Sequence, residues 1–186
     1  MESQQDLIQL LSNYEEQYPT ETFSLEAINH FVLSFKGEEL YARTNFVGHI
    51  TASAFIYNRT SRSLLFIKHT VLNRWLQPGG HIEKDDENLL AAALREAQEE
   101  TGIPASDFIV VPQLLDFDSH AIPENIKKNE PTHFHHDMRF LLSYNHPIQE
   151  MMAQQDVSGC EWISIDTLKK DGNWTRVIRK IEDINP

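Results

Sequence analysis

The first third of the chain changes its hydrophobic pattern twice. Apolar residues recur at helical spacing over residues 4–18 and again over 21–37, which predicts two helices. β-Branched, aromatic and small residues then dominate 46–57, and a polar segment separates them from the apolar run 64–67. Two such runs joined by a short polar segment predict a β-hairpin.

Helical and strand patterns are mixed along the rest of the chain. The predicted elements are a helix at 87–101, strands at 108–115, 138–144 and around 162–164, and a helix at 175–184. The sequence has no internal repeat, low-complexity tract or long linker. We therefore expect one α+β domain over residues 46–186, preceded by a helical N-terminal arm over residues 1–45.

Composition narrows the class of protein. The 186 residues include 16 Lys and Arg against 28 Asp and Glu, giving a formal net charge of −12. That acidic excess argues against nucleic-acid binding, and no apolar run approaches the ~18 residues of a membrane span. Cys160 is the only cysteine, and the first residues do not resemble a secretory signal, so we expect a cytoplasmic protein. An anionic substrate would then need a cation to offset the protein's charge.

The segment with the most chemical information is the helix predicted at 87–101. Glu96, Glu99 and Glu100 fall within one helical turn, where like charges repel by a few tenths of a kcal/mol per pair. Oxygen ligands of this kind suit Mg²⁺ or Mn²⁺, and the preceding pair Gly79 and Gly80 can bring a backbone carbonyl close. The alternative is a solvated acidic helix face.

The wider pattern resembles the signature box of the Nudix hydrolase family. The matching positions are Gly80, Glu87, Arg95, Glu96, Ala97, Glu99, Glu100, Gly102 and Ile103. Ala97 replaces the usual larger aliphatic residue, and six residues separate Gly80 from Glu87 where the family usually has five. Asp86 stands at the five-residue spacing, but Glu87 keeps the spacing to the helix and is the residue we favour.

The resemblance implies a fold, a reaction and a set of residue roles. The fold would be an α/β/α sandwich with a mixed β-sheet, and the reaction the hydrolysis of a nucleoside diphosphate linked to another moiety. Glu96, Glu99, Glu100 and the Gly80 carbonyl would hold Mg²⁺ or Mn²⁺, and Glu87 would form a structural ion pair with Arg95. The general base would be Glu99 or Glu96.

Histidines later in the chain form a second candidate group. His133, His135 and Asp137 alternate, so a strand would place them on one face, and His120 lies near if its loop folds back. His81 follows Gly80 and should border the site. These residues are candidates for recognising substrate phosphates or for an additional metal site, and an ordinary polar strand face is the alternative.

Two other functions share this sequence pattern. One is a ligand-sensing Nudix domain without turnover, which would be expected to lose the carboxylates of the box. The other is an isopentenyl diphosphate isomerase, which needs a catalytic cysteine near the site, whereas Cys160 is distant in sequence. The expected partner is a small nucleotide, with neither nucleic acid nor membrane, and a homodimer stays an open alternative.

Overall fold

A computed structural model describes residues 1–70, 73–126, 129–147 and 157–184, without the side chains of residues 23 and 24. Its α-helices are α1 (Gln4–Gln17), α2 (Thr22–Ser34), α3 (Leu89–Thr101), α4 (Ile165–Asp171) and α5 (Thr175–Ile184). Its strands are β1 (Gly48–Asn58), β2 (Ser63–His69), β3 (Arg74–Leu76), β4 (Gly79–His81), β5 (Phe108–Ile122), β6 (His133–Tyr144) and β7 (Val157–Ser164).

The strands form one mixed sheet in the order β3-β2-β1-β6-β5. β1 and β6 run parallel, and the other pairs are antiparallel. β4 pairs with β1, and β7 pairs with β2. The parallel pair at the centre is the reason that residues far apart in sequence lie side by side near the start of β1.

Helices cover both faces of the sheet, as β1 illustrates. Ala52 and Ala54 belong to a hydrophobic core that includes residues of α1, α2 and α3. Phe55 and Tyr57 belong to a second core with residues of α4 and α5. Because successive strand residues point to opposite faces, the sheet separates two helical layers. The predicted α/β/α arrangement is therefore confirmed.

The N-terminal helices pack directly onto this sandwich. Leu7 and Leu11 of α1 are fully buried in the same core as the sheet. Lys180 of α5 is also buried, and its Nζ lies 2.8 Å from Glu21 Oε2 and 2.8 Å from Asp116 Oδ1 while donating to the Tyr14 hydroxyl. This polar network ties the arm to β5 and α5. The boundary between residues 45 and 46 stays a prediction.

The structure confirms the helices and the hairpin and extends three strands, of which β7 begins at Val157, five residues before the predicted position. β5 continues seven residues beyond the predicted end at 115, and β6 begins five residues before the predicted start at 138. The three-residue strands β3 and β4 and the short α4 were not predicted, since segments of that length show too little periodicity. No helix in the described part of the chain is long and apolar enough to cross a bilayer.

Candidate active site

The ends and packing of α3 fix the position of the box carboxylates. Asn88 caps its first turn by accepting a hydrogen bond from the Ala91 N–H at 2.8 Å. Gly102 ends the helix in the left-handed region at φ 72°. Ala93 and Ala97 are fully buried, and such small side chains allow α3 to approach the sheet closely.

Two glycines of β4 lie against the acidic face of α3. The Gly79 N–H donates to Glu100 Oε2 at 2.9 Å. A Cβ added to Gly80 would lie 2.5 Å from Glu96 Oε1, so any other residue there would displace that carboxylate from its position. The chain therefore brings Gly80, Glu96 and Glu100 together, as the sequence predicted.

Glu96 and Glu99 differ in their surroundings although both pair with Arg95. Arg95 Nη1 lies 3.0 Å from Glu96 Oε1 and 3.1 Å from Glu99 Oε2. The Glu96 side chain is 14% exposed and that of Glu99 is 55% exposed. Burial raises the pKa of Glu96 above its usual value, although Arg95 acts in the opposite direction. A buried carboxylate beside two further glutamates fits a hard divalent cation.

The predicted ion pair between Glu87 and Arg95 is wrong, because Arg95 binds Asp86. Arg95 Nε lies 3.0 Å from Asp86 Oδ1, and Arg95 Nη2 lies 3.0 Å from Asp86 Oδ2. Glu87 is exposed. α3 begins only at Leu89, so the extra residue lies between Asp86 and Arg95. The partner of Arg95 is therefore Asp86, the residue at the usual five-residue spacing from Gly80.

The same pair holds the loop between β4 and α3. Asp86 Oδ2 also accepts a hydrogen bond from the Glu83 N–H at 2.7 Å, and Arg95 Nη2 donates to the His81 carbonyl at 2.9 Å. Burial alone would raise the pKa of Asp86, but the hydrogen bonds from Arg95 and Glu83 outweigh it and keep that pKa below its usual value. One buried carboxylate thus anchors the loop to the helix.

A group of histidines lies on the opposite face of β4 from the Gly80–Glu96 contact. His49 of β1 is the register partner of His135 of β6, and His135 is the partner of His120 of β5. His81 follows Gly80 and opposes Thr51 of β1, so its side chain shares the face of His49. The sequence predicted His133 and His135 on one strand face and His81 at the border of the box, and the structure brings the three together.

Close ring contacts join these histidines, and burial lowers the pKa of two of them. The ring centroid of His49 lies 5.1 Å from that of His81, 5.1 Å from that of His133 and 4.5 Å from that of His135. Burial lowers the pKa of His49 to about 4, and burial with the neighbouring histidines lowers that of His135 to about 2. Uncharged imidazoles bind metal ions better than they bind phosphates.

Asp137 has a different role from the predicted substrate contact. It is buried, and it accepts hydrogen bonds from Thr51 at 3.1 Å, Ser53 at 2.7 Å, Gln77 at 3.2 Å and Arg139 at 3.0 Å. These bonds occupy both carboxylate oxygens. Asp137 therefore positions strands β1 and β6 and the segment before β4.

Two residues that matter here were not among the sequence candidates. His49 joins the histidines only through the parallel pairing of β1 with β6, which no local pattern indicates. Glu2 accepts hydrogen bonds from the Leu89 N–H at 2.9 and 3.0 Å, at the start of α3. A carboxylate at a helix N-terminus is favourable, but this one comes from the distant arm.

Comparison with known proteins identifies the family. Residues 47–181 match the sequence profile of the NUDIX domain. The chain belongs to the Nudix family. A probable DHNTP pyrophosphohydrolase of Lactococcus lactis subsp. cremoris is 36% identical over 111 residues, which cover 60% of this chain and 63% of that protein. The chain therefore spans less than two thirds of that relative's length.

Other Nudix relatives agree with the fold. Phosphatase NudJ of Shigella boydii is 29% identical over 136 residues, covering 69% of this chain and 76% of that protein. The structure of a C. elegans Ap4A hydrolase binary complex superposes with a TM-score of 0.54 at 16% identity, covering 73% of this chain and 96% of that one. At such low identity the superposition supports the fold alone.

Proposed function

We propose that this Nudix protein hydrolyses the pyrophosphate bond of a nucleoside diphosphate linked to another moiety, using Mg²⁺ or Mn²⁺. The observation that carries the proposal is the close approach of β4 to α3, which sets Glu96 against Gly80 and Glu100 against Gly79. A ligand-sensing Nudix domain without turnover would have no need to keep this carboxylate set. The name of one relative, a probable DHNTP pyrophosphohydrolase, supports the same class of reaction.

Four groups would hold the cation in this proposal. They are the Gly80 carbonyl and the carboxylates of Glu96, Glu99 and Glu100. When bound, the ion neutralises the pyrophosphate and lowers the pKa of a water molecule, which makes the water a better nucleophile.

The remaining roles, those of the general base and of the residues that hold the loop, belong to side chains of the protein. Glu99 is the most exposed of the carboxylates that pair with Arg95, so its Oε atoms are placed to accept the proton of an attacking water. Glu96 is more deeply buried and suits a ligand, although either residue was a candidate base by sequence. Arg95 and Asp86 hold the loop that carries the Gly80 carbonyl. A contact of His81, His133 and His135 with the substrate phosphates stays a prediction from the sequence, since these residues lie on the opposite face of β4 from the Gly80–Glu96 contact.

A substrate panel with matched variants tests this function. ADP-ribose, a nucleoside triphosphate, dihydroneopterin triphosphate and a dinucleoside tetraphosphate are incubated with Mg²⁺ or Mn²⁺, and the products are resolved by chromatography. Glu99→Gln and Glu100→Gln should each reduce turnover about 100-fold or more, as expected for the loss of a base or a ligand. Glu16→Gln on the exposed side of α1 makes the same chemical change as a control.

The outcomes separate the proposal from its alternatives. Binding of a panel compound without hydrolysis, in the presence of either cation, would favour the sensing domain. Although distant in sequence, Cys160 lies beside the box in the fold, with its Sγ 3.7 Å from the Glu100 carbonyl. Burial raises the pKa of its thiol, and an inert thiol of this kind disfavours the isomerase. A turnover rate of Glu99→Gln close to that of the wild type would refute the role of Glu99 as base. A cytoplasmic location and a homodimer stay predictions from the sequence.

A further inference from the structure

Three histidines from three separate strands present nitrogen atoms to one another. They are His49 of β1, His81 of β4 and His135 of β6, and one ring nitrogen of each lies within 4.8 Å of the other two. A tetrahedral Zn²⁺ with bonds of about 2.0–2.1 Å places its ligand atoms about 3.3 Å apart. The observed spacing therefore needs only small side-chain movements to close around an ion.

His49 provides an independent reason to expect a ligand. Its side chain is 1% exposed, and neither ring nitrogen makes a hydrogen bond of acceptable geometry within the described residues, although the Asn45 backbone lies nearby. A buried polar atom without a partner is costly, and native proteins rarely leave one in that state. Coordination of a metal ion by one of these nitrogens would remove that cost.

Neighbouring residues already orient two more imidazoles. The Nδ1–H of His133 donates to the Pro131 carbonyl at 2.8 Å, so its Nε2 carries the lone pair of the neutral ring. This Nε2 lies 3.3 Å from His135 Nε2. His120 Nδ1 lies 2.9 Å from Asp118 Oδ2. Contacts of this kind, to a carbonyl or a carboxylate, are those that hold metal-binding histidines in place. His133 is therefore available as a fourth ligand.

The nitrogen-rich group is chemically distinct from the carboxylates on α3. A Cβ on Gly80 would point at Glu96, whereas the next residue, His81, points to the other face of β4. Oxygen ligands suit Mg²⁺ and Mn²⁺, and imidazoles suit Zn²⁺, Co²⁺ and Ni²⁺. The two groups would therefore select different ions from a mixture.

From this geometry we infer that His49, His81 and His135 bind one transition-metal ion of the Zn²⁺ class. The ion joins strands β1, β4 and β6, and it leaves a position for His133, for water or for a phosphate oxygen. The inference does not depend on the proposed hydrolysis, because the ion's ligands are separate from Gly80 and the three glutamates.

Metal analysis of the full-length chain tests the inference. The protein is stripped with a chelator, equilibrated with Zn²⁺, dialysed, and analysed for zinc by mass spectrometry; Co²⁺ replaces Zn²⁺ for visible absorption spectra. We expect about one Zn²⁺ per chain and the intense bands of four-coordinate Co²⁺. Zn²⁺ should also raise the melting temperature, because it binds only the folded chain.

Variants assign the ion to its ligands. His81→Gln and His135→Gln should each weaken Zn²⁺ binding at least 100-fold, whereas His135→Cys, which supplies another zinc ligand, should retain it. His30→Gln on the exposed side of α2 is the matched control. Glu99→Gln and Glu100→Gln should bind Zn²⁺ as the wild type does, whatever their effect on hydrolysis.

Three results would overturn the inference. The first is that the wild type retains no Zn²⁺, in which case the imidazoles form only a hydrogen-bonded group or a phosphate contact. The second is that His81→Gln and His135→Gln, folded by circular dichroism, keep full affinity. The third is that Zn²⁺ binding is lost in the glutamate variants instead, which would assign the ion to α3.

Discussion

Replacing Asp86 with Asn tests the corrected ion pair. The variant keeps the size of the side chain but removes its charge, and its amide can no longer accept both hydrogen bonds from Arg95. Glu87→Gln is the matched control, because it makes the same change one residue later on an exposed side chain. The two variants therefore separate the pair that the structure shows from the pair that the sequence favoured.

The expected cost follows from the surroundings of the two groups. Breaking a buried ion pair from one side typically costs about 3–5 kcal/mol. The Asp86 side chain is 5% exposed, but that of Arg95 is 22% exposed and keeps its contacts to Glu96 and Glu99. We therefore expect Asp86→Asn to lower the free energy of unfolding by about 2–3 kcal/mol. Glu87→Gln should change it by less than about 0.5 kcal/mol.

Urea denaturation followed by tryptophan fluorescence measures both values, and equal slopes indicate that the variants unfold in the same way. A double-mutant cycle with Arg95→Ala should give a coupling energy above about 1 kcal/mol for Asp86 and close to zero for Glu87. If Glu87 proves to be the coupled residue, the loop between β4 and α3 is not arranged as described.

Two further changes test other parts of the structure. Gly80→Ala should reduce metal-dependent hydrolysis at least about 10-fold, because its Cβ would lie 2.5 Å from Glu96 Oε1; unchanged steady-state kinetics would contradict this packing. Lys180→Met should lower the free energy of unfolding by about 3–5 kcal/mol at pH 7, as measured by urea denaturation. Burial alone would raise the pKa of Glu21, but hydrogen bonds from Lys180 and Tyr14 keep it low, so the wild type loses this contribution as the pH falls below about 4.5. In the variant Glu21 loses its hydrogen bond from Lys180 and takes up a proton more readily, so the deficit should narrow between pH 7 and pH 4.5, and a constant deficit would contradict the network.

The sequence was most informative where a local pattern determines the structure. Helical periodicity indicated α3, and three glutamates within one turn follow from that helix without tertiary information. The partner of Arg95 was missed because counting from the helix placed the extra residue in front of Glu87. The contact of the buried Asp86 carboxylate with Arg95 depends on how the loop folds, which counting residues cannot show.

The long strands were underestimated for a related reason. Asp116, Asp118 and Asp137 interrupt the hydrophobic pattern, yet all three lie in strands because Arg139 bridges them, at 3.4, 3.1 and 3.0 Å. Alternation of apolar and polar residues cannot indicate such a cross-strand network. His49 was missed in the same way, since its strand meets the strands of the other histidines only in the folded sheet.

The buried contact between Lys180 and Tyr14 joins positions 166 residues apart in the chain. A contact of that span can form only after nearly all of the chain has been synthesised, and the parallel pairing of β1 with β6 adds a second non-local step. Non-local contacts slow folding, because loop-closure entropy is lost before the contacts compensate for it. During translation, Tyr14 of helix α1 therefore stays without its Lys180 partner until α5 leaves the ribosome, and the finished protein should unfold in one cooperative transition that includes both helices.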